Sequence, residues 1–259
     1  MADPTGADPT GADPARAIPF EAVFNFRDLG GYPTSDGRMT RWRRLFRADG
    51  LNRLRDHEAE QISALGIRTV IDLRTPEEVG AHGRFPPAVA EVEYRHLPLF
   101  DVQPDWAAFR EPDAPGFLAD RYVEMLETGR ASVAAALHLL AEPHAYPLVF
   151  HCAAGKDRTG ILAAVILGLL DVPQAVIIDD YALSHDATER MFAWVETRGR
   201  DTNSTYQAPP SSVIAALPDT MERFLAHLDQ THGGAAGLAA NLGVDGAVIE
   251  QIRAQLLDG

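Results

Sequence analysis

The sequence predicts an α/β fold in which a central, mostly parallel sheet is flanked by helices. Short runs rich in apolar and β-branched residues, at 67–74, 92–100 and 148–150, alternate with longer segments of helical periodicity. Strands that alternate with helices are typical of a parallel sheet. The last run leads through a loop of small residues into the apolar stretch 159–170, which predicts a strand, a tight loop and a buried helix in succession.

The other elements follow from local signals along the chain. Asp36-Gly37 predicts a hairpin turn, and Gly66 predicts the end of a helix over residues 56–65. Residues 101–117 are rich in proline and acidic residues and are predicted to form a loop that borders the pocket. Further helices are predicted at 118–126, 133–140, 173–181, 186–196, 219–231, 235–242 and 245–257.

Length and composition predict one domain over residues 18–259, preceded by a disordered tail over 1–17. The chain has 259 residues, of which 46% are hydrophobic, enough for a sizeable core. Its first residues repeat Ala-Asp-Pro-Thr-Gly and are too polar to bury surface. The sequence shows neither a membrane-spanning apolar run nor a basic and apolar leader, which predicts a cytoplasmic protein, or one exported without a classical signal peptide.

Charge and cysteine content narrow the class of function. A net charge of -14 argues against nucleic acid as a partner. The single cysteine rules out an intramolecular disulfide and a cysteine-rich metal site, and the nine histidines show no zinc-ligand spacing. We therefore expect no metal, no cofactor and no membrane span, and phosphate binding only at a local site.

The single cysteine lies in the stretch His-Cys-Ala-Ala-Gly-Lys-Asp-Arg-Thr-Gly, residues 151–160. A loop of small residues that enters a helix turns several backbone N–H groups toward one point, where the helix dipole adds positive charge. Arg158 would begin the helix with a guanidinium suited to two phosphate oxygens. Cys152 would lie at the base of this anion site, where the same field favours its nucleophilic thiolate.

This arrangement predicts a reaction at phosphorus. The Cys152 thiolate would attack in line, and a cysteinyl-phosphate would form and then be hydrolysed by water. Thr159 would donate a hydrogen bond to the sulfur, and His151 would fix the loop from behind. No metal is required.

The stretch resembles the signature loop of the cysteine-dependent protein tyrosine phosphatase superfamily, His-Cys-x5-Arg-Thr-Gly. Its particular form resembles the bacterial tyrosine/lipid phosphatase family of the protein tyrosine phosphatase B type. Segments at 25–28, 46–49 and 72–74 and the ending Gly-Leu-Ala-x-Asn-Leu-Gly-Val also match, so the resemblance covers roughly residues 18–258. It implies a protein tyrosine phosphatase-like fold and a phosphate-binding set made of Ala153, Ala154, Gly155, Lys156, Thr159 and Gly160.

Two aspartates are candidates for the general acid. A carboxyl beside the phosphate, as at Asp157, can have its pKa raised by the dianion and protonate the leaving oxygen. Alternatively, Asp157 hydrogen-bonds backbone and only shapes the loop. The resemblance makes Asp72 its rival, and the other interpretation of Asp72 is a cap for the helix that begins near Pro76.

Two cations also have open roles. Lys156 resembles the extra cation in the loops of phosphoinositide phosphatases, which suits a substrate with more than one phosphate; alternatively it is an ordinary surface lysine. The resemblance places Arg27 close to the loop, where it would neutralise substrate or loop carbonyls. Alternatively, Arg27 forms a plain salt bridge with Asp28 or another acid.

Residues 182–212 are a candidate helical lid. The helix at 186–196 carries several aromatic and apolar side chains among charged ones, which suits either a cover over the site or ordinary packing on the domain. Residues 197–212 are rich in small and polar residues and predict a flexible connection.

The sequence thus favours a metal-independent phosphomonoester hydrolase with Cys152 as nucleophile. Phosphotyrosine proteins are the leading substrate class, phosphoinositides come next, and phosphoserine or phosphothreonine remains open. A phosphate-reading binding module without turnover is the alternative, and the intact Cys152, Arg158 and Thr159 argue against it. A sulfur-transfer protein is a further alternative, and the Arg-Thr-Gly continuation into the helix argues against it.

Overall fold

One five-stranded sheet lies in the described part of the chain. The computed structural model describes residues 16–99, 114–197 and 211–259. The strands are β1 Arg27–Asp28, β2 Leu45–Ala48, β3 Thr69–Asp72, β4 Glu93–His96 and β5 Leu148–His151. Their spatial order is β1-β2-β5-β3-β4, and within it only β1 and β2 pair in antiparallel fashion. The predicted central, mostly parallel sheet is confirmed.

The carboxyl ends of three parallel strands meet at one edge of this sheet. In the strand register, Ala48 of β2 and Asp72 of β3 both lie opposite His151 of β5. Open α/β sheets bind ligands at the carboxyl ends of their strands. Because Cys152 follows His151 directly, the predicted nucleophile lies at this edge.

Helices flank the sheet, as predicted. In chain order they are α1 Ala59–Leu65, α2 Pro76–His82, α3 Ala114–Thr128, α4 Arg130–Ala141, α5 Asp157–Leu169, α6 Gln174–Ala182, α7 Ser184–Thr197, α8 Ser211–Ile214, α9 Pro218–His232, α10 Gly234–Asn241 and α11 Gly246–Leu256. Helix α5 is buried along nearly its whole length, because its residues are apolar or small on every side. The buried helix predicted after the signature stretch is confirmed.

The two faces of the sheet build two cores. In β5, Leu148 and Phe150 pack into the larger core, to which α3–α6 and α8–α11 contribute. Val149 lies between them in sequence and packs into the smaller core with Ile62 of α1 and Val70 of β3. This alternation follows from the two-residue period of a strand.

Two local predictions are confirmed by backbone geometry. The segment around Asp36-Gly37 forms a turn in which Gly37 has φ +86° and Pro33 bridges Met39 in antiparallel fashion. Helix α1 ends at Gly66, whose φ of +65° is the left-handed conformation that terminates helices.

Two loops were predicted to be longer than they are, because helices extend into their ends. Helix α3 begins at Ala114 rather than after 117, and Pro115 is tolerated there because the first turn of a helix needs no proline N–H. The predicted flexible connection over 197–212 overlaps the end of α7 and the start of α8. The rest of these two predictions, residues 101–113 and 198–210, lies outside the described residues.

The domain includes residues that the sequence assigned to the tail. Residues 1–15 lie outside the described part, but Arg16 donates hydrogen bonds to the carbonyls of Asp28 and Gly30, at 2.8 and 2.7 Å. The backbone of Ala17 forms an antiparallel β-bridge with that of Arg27. Arg16 and Ala17, which the prediction assigned to the tail, therefore contact the domain, and the disordered tail over the remaining residues stays a prediction. Across the described residues, no helix has the length and apolar character needed to cross a membrane.

Candidate active site

Residues 152–158, which we call the signature loop, connect β5 to α5 at the carboxyl edge of the sheet. Cys152 is 2% exposed and is the free thiol predicted for this position. Helix α5 begins at Asp157, so its positive end points to the loop. The predicted strand, tight loop and helix are confirmed.

The carbonyl groups of the loop are held from outside the loop. Five hydrogen bonds hold the four carbonyls of residues 152–155. They are His151 Nδ1 to Cys152 O at 3.1 Å, Gly50 N to Ala153 O at 3.1 Å, Asn25 Nδ2 to Ala154 O at 3.1 Å, and Asn25 Nδ2 and Arg47 Nη2 to Gly155 O at 3.0 and 2.7 Å. In a planar trans peptide the N–H points away from the C=O of the same unit. Fixing the carbonyls outward therefore turns the next N–H groups inward.

The inward N–H groups are available to an anion. None of the backbone N–H groups of residues 153–158 donates a hydrogen bond to another described residue. Orphan donors at a helix N-terminus are a ready anion site. The loop can therefore bind the oxygens of a phosphate without breaking any hydrogen bond within the described chain.

Gly155 permits the sharp course of the loop. Its φ is +68°, and a Cβ atom at this position would lie 2.6 Å from the carbonyl oxygen of Ala48. Both the left-handed conformation and the close approach to β2 require glycine.

Arg158 is oriented by a residue that the sequence analysis missed, Glu78 of α2. The two side chains form a bidentate ion pair, with Nη1 to Oε2 at 2.5 Å and Nη2 to Oε1 at 2.9 Å. A guanidinium has five N–H donors, so three remain for phosphate oxygens. Glu78 is itself fixed, because its Oε2 accepts the backbone N–H of Thr75, 2.7 Å away, in the capping box of α2.

The side chain of Lys156 is buried, and its ammonium group is bound by backbone carbonyls. Its Nζ donates to the carbonyl groups of Val213, Ile214 and Ala215, the last two at 3.3 Å. Its Nζ also lies 3.3 Å from Asp157 Oδ1. An ammonium has three donors, so Lys156 can reach a phosphate only by releasing some of these carbonyls. Its predicted alternative as an ordinary surface lysine is wrong.

Asp157 is the more exposed of the two candidate acids, at 31% of its side chain. Tyr122 donates a hydrogen bond to its Oδ1 at 2.5 Å, and Tyr122 in turn contacts the hydroxyl of Tyr181 at 2.7 Å. Burial and then the charge of Asp157 raise the pKa of Tyr122, so this tyrosine stays protonated as a donor. The carboxylate is thus fixed at the start of α5, next to the loop.

The surroundings of Asp72 argue against a role as general acid. Asp72 is fully buried and receives hydrogen bonds from Arg74, with Nη2 at 2.6 Å, and from the hydroxyl of Tyr94 at 2.8 Å. Burial would raise the pKa of Asp72, but the adjacent His151 ring and the hydrogen bonds and charge of Arg74 outweigh it and hold that pKa well below its usual range. A carboxyl that stays ionised has no proton to donate. It does not cap α2 either, since Thr75 occupies the cap.

His151 lies beneath the loop, as its predicted role requires. It is fully buried, its Nδ1 contacts the carbonyl of Cys152, and its Nε2 lies 3.6 Å from Asp72 Oδ2. Burial lowers the pKa of His151 below its ordinary value. The neutral ring therefore braces the start of the loop.

Thr159 and Gly160 follow the loop inside α5. The hydroxyl of Thr159 is buried and has no hydrogen-bond partner among the described residues, so its predicted bond to the Cys152 sulfur is not formed in this structure. A Cβ atom on Gly160 would lie 3.1 Å from the ring of Tyr181, which shows that glycine allows α6 to pack closely here.

Arg27 pairs with Asp180 of α6 rather than with Asp28. Its Nε lies 2.9 Å from Asp180 Oδ1, and its Nη2 donates to the carbonyl of Asp180 at 2.8 Å. Arg27 also donates to the side chain of Asn25, which holds the loop. Arg27 therefore contacts the loop through Asn25 and makes no direct bond to a loop carbonyl in this structure.

Helix α7 lies beside the segment that supports the loop. Its Trp194 packs edge-on against Phe24 at 5.9 Å, and Arg190 donates to the carbonyl of Phe24 at 3.4 Å. Phe24 precedes Asn25 directly. Whether residues 182–212 act as a lid stays a prediction.

Among the described residues, one group of side chains could bring metal ligands together, and it lies at the start of α7. His185, Asp186 and Glu189 share a partly exposed surface of α7. The group contains one histidine and two carboxylates, and no cysteine.

The supporting residues that the sequence analysis missed are Asn25, Arg47, Gly50, Glu78 and Asp180. Asn25 and Arg47 lie in segments that matched the family resemblance, but their contacts to loop carbonyls carry no local signal. The capping-box pattern Thr75-Pro-Glu-Glu78 predicts where α2 begins. It does not predict a partner eighty positions later in the chain.

Comparison with known proteins adds independent findings. A family model described as "Tyrosine phosphatase family" matches residues 18–258. A tyrosine-protein phosphatase from Nostoc commune is 28% identical over 228 residues, covering 81% of this chain and 73% of that protein. The triple specificity protein phosphatase PtpB from Mycobacterium tuberculosis is 27% identical over 277 residues, covering 91% of this chain and 97% of that protein. Both similarities extend far beyond the signature loop.

Proposed function

The chain belongs to the tyrosine phosphatase family, and on this basis we propose that it hydrolyses phosphomonoesters through a cysteinyl-phosphate on Cys152. The observation that supports this most is the signature loop, whose carbonyls at residues 152–155 are held outward and whose N–H groups at 153–158 have no described partner. Such preorganised donors match the charge that develops on the oxygens of a transferring phosphoryl group.

In the first step the Cys152 thiolate attacks phosphorus, and a sulfur–phosphorus bond forms as the bond to the ester oxygen breaks. The loop N–H groups and the three free donors of Arg158 hold the other oxygens. The leaving oxygen takes a proton, for which Asp157 is the candidate donor, because it lies next to the loop and is partly exposed. In the second step water attacks phosphorus, the sulfur–phosphorus bond breaks, and the proton that water loses returns to Asp157. The products are inorganic phosphate and the thiolate.

Phosphotyrosine proteins are the substrate class that we propose first, followed by phosphoinositides. The Mycobacterium tuberculosis relative is named a triple specificity protein phosphatase, which supports a site of broad specificity in this chain. A second phosphate would require the ammonium of Lys156, which is bound to backbone carbonyls in this structure. Phosphoserine and phosphothreonine substrates complete the panel to be tested.

The experiment is steady-state hydrolysis of a phosphotyrosine peptide and a phosphoinositide panel across pH 5 to 8. We expect Cys152→Ser to lose all turnover, and Asp157→Asn to lose the basic limb of the pH profile, since the acid must be protonated to act. Asp72→Asn is the matched control and should keep that limb. No turnover by the wild-type protein, combined with tight phosphopeptide binding, would instead favour the binding module.

The proposed reaction uses no metal, so we expect turnover to survive prolonged treatment with EDTA. The measurement is the specific activity before and after chelation, with and without added divalent cations. Activity that is lost on chelation and restored by one cation would contradict the mechanism.

A further inference from the structure

Two buried arginines share one buried carboxylate directly behind the signature loop. Arg27 Nε lies 2.9 Å from Asp180 Oδ1, and Arg47 Nη1 lies 2.5 Å from Asp180 Oδ2. All three side chains are at most 4% exposed. The hydroxyl of Tyr32 also donates to Asp180, at 2.7 Å. We call Arg27, Arg47 and Asp180 the arginine cluster. Its formal charge is one positive unit.

Four further ion pairs among the described residues near the loop are each balanced in charge. These pairs are Arg158 with Glu78, Arg74 with Asp72, Arg53 with Asp49, and Lys156 with Asp157. His151 adds no charge near neutral pH, because burial lowers its pKa. These four pairs therefore add no net charge, whereas the arginine cluster adds one positive unit that contacts the loop.

The arginine cluster contacts the loop directly. Arg47 Nη2 donates to the carbonyl of Gly155 at 2.7 Å, and Arg27 contacts Asn25, which binds the same carbonyl. Arg47 Nε is buried without a hydrogen-bond partner among the described residues. Burial and then the charge of Arg27 lower the pKa of Arg47 to about 10, so Arg47 still carries its charge at neutral pH.

An excess buried charge is costly unless an opposite charge offsets it. A neutral donor such as glutamine could satisfy the Gly155 carbonyl without that cost. The opposite charge that the proposed function brings to this place is the Cys152 thiolate, and then the phosphate dianion. Either anion would lie on the inner side of the loop whose outer side Arg47 holds.

We infer that Arg27, Arg47 and Asp180 are positioning residues, whose single excess positive charge attracts the anion bound inside the signature loop. The inference rests on the proposed function, because it assumes that the loop binds a phosphate. In a bracing role, the affinity for the anion would depend on which hydrogen bonds to the loop are present. Here it depends on the sum of the three charges.

The test measures the affinity for inorganic phosphate by calorimetry, which needs no turnover. Arg27→Gln and Arg47→Gln each reduce the cluster charge to zero, and we expect each to bind phosphate about tenfold more weakly. Arg47→Lys keeps the charge and should remain near the wild-type affinity. The double variant Arg27→Gln/Asp180→Asn has again one positive charge, and it should recover most of the affinity that Arg27→Gln loses.

A second readout is the rate at which iodoacetamide alkylates Cys152 at pH 7, which is unambiguous because Cys152 is the only cysteine. This rate should fall in Arg27→Gln and in Arg47→Gln, and it should recover in the double variant. Arg253→Gln is the matched control, since it removes one charge from an ion pair with Asp171, beyond the far end of α5. It should change neither readout.

A double variant that binds phosphate more weakly than Arg27→Gln would overturn the inference. It would show instead that the three residues only hold the loop in place through their bonds. Equal affinities for Arg47→Gln and the wild-type protein would overturn it as well. Thermal unfolding of each variant checks that the fold is kept. A wild-type protein that binds no phosphate would contradict the proposed function itself, so the two failures can be told apart.

Discussion

Glu78 fixes Arg158 by a bidentate ion pair, and its removal should separate catalysis from binding. In Glu78→Gln the guanidinium loses its fixed orientation, so we expect kcat to fall by about tenfold to a hundredfold. The same change removes a negative charge beside the bound phosphate, so KM should not rise. Steady-state kinetics on an aryl phosphate give both constants.

The matched control for this substitution is Glu77→Gln. Glu77 lies in the same first turn of α2, is exposed, and loses the same charge. It should leave kcat within about twofold of the wild-type value, as is usual for a surface position. Similar losses of kcat in both variants would show that the charge of α2 matters and the ion pair does not.

Among the residues of the site, the sequence predicts those that lie in one motif. It does not predict the residues that only the tertiary structure brings close to that motif. Cys152 and Arg158 follow from their spacing in a strand, loop and helix. The sequence does not show that Arg74 and Tyr94 hydrogen-bond the oxygens of Asp72, a contact that favours Asp157 over Asp72 as the acid. Glu78 was missed for the same reason.

Helix α8 is held at its carboxyl end by Lys156, and this contact predicts a local change in stability. Without the ammonium, three backbone carbonyls at residues 213–215 lose their donor. We therefore expect amide hydrogen exchange at residues 213–217 to be about tenfold faster in Lys156→Met, since the loss of hydrogen bonds lowers the free energy of local opening. Hydrogen exchange with mass spectrometry measures it.

The control for α8 is Asp157→Asn. It removes the carboxylate beside Lys156 but leaves the three carbonyl bonds in place. Exchange at residues 213–217 should therefore remain at the wild-type rate. An equal increase in both variants would mean that the charge pair, and not the carbonyl contacts, holds this segment.

Element boundaries were predictable where a chemical signal stands at the boundary. Gly66 ends α1 and Thr75 caps α2, as such residues usually do. The start of α3 was missed because proline and acidic residues are typical of loops and are equally at home in the first turn of a helix. Short α8 has no periodicity to detect.

For the molecule as a whole, Asp28 predicts how stability depends on pH. Burial raises the pKa of Asp28 from 3.8 to about 6, although the backbone N–H groups of Arg43 and Gly30 oppose the shift. A raised folded-state pKa gives stability that is fully present below the unfolded value and is lost as pH rises through about 6. Between pH 4.5 and 7, the Asp28 contribution should therefore fall by about 2 kcal/mol.

The comparison with Asp28→Asn isolates this contribution from the other titrating groups. Relative to the wild-type protein, the variant should gain about 2 kcal/mol in free energy of unfolding between pH 4.5 and 7, measured by urea denaturation. Asp36→Asn is the control, because Asp36 is exposed and its pKa is lowered, so it does not titrate in this range. A difference between wild type and Asp28→Asn that is the same at both pH values would contradict the prediction.

The overall architecture was predictable because apolar strands that alternate with helices leave few arrangements other than a parallel sheet. The strand order and the supports of the loop were not predictable. Asn25 binds the carbonyl of Gly155 across 130 positions, and Arg47 pairs with Asp180 across 133. No periodicity in the sequence records such distant contacts.

These separations have a consequence for biosynthesis. A nascent chain emerges from its amino end, and domains fold as their residues become available. The loop around Cys152 lacks its full support until Asp180 and Ser184 of the later helices have left the ribosome, since both contact Arg27. An unfinished chain should therefore have no functional phosphate site, and activity during translation should appear only after most of the protein has been made.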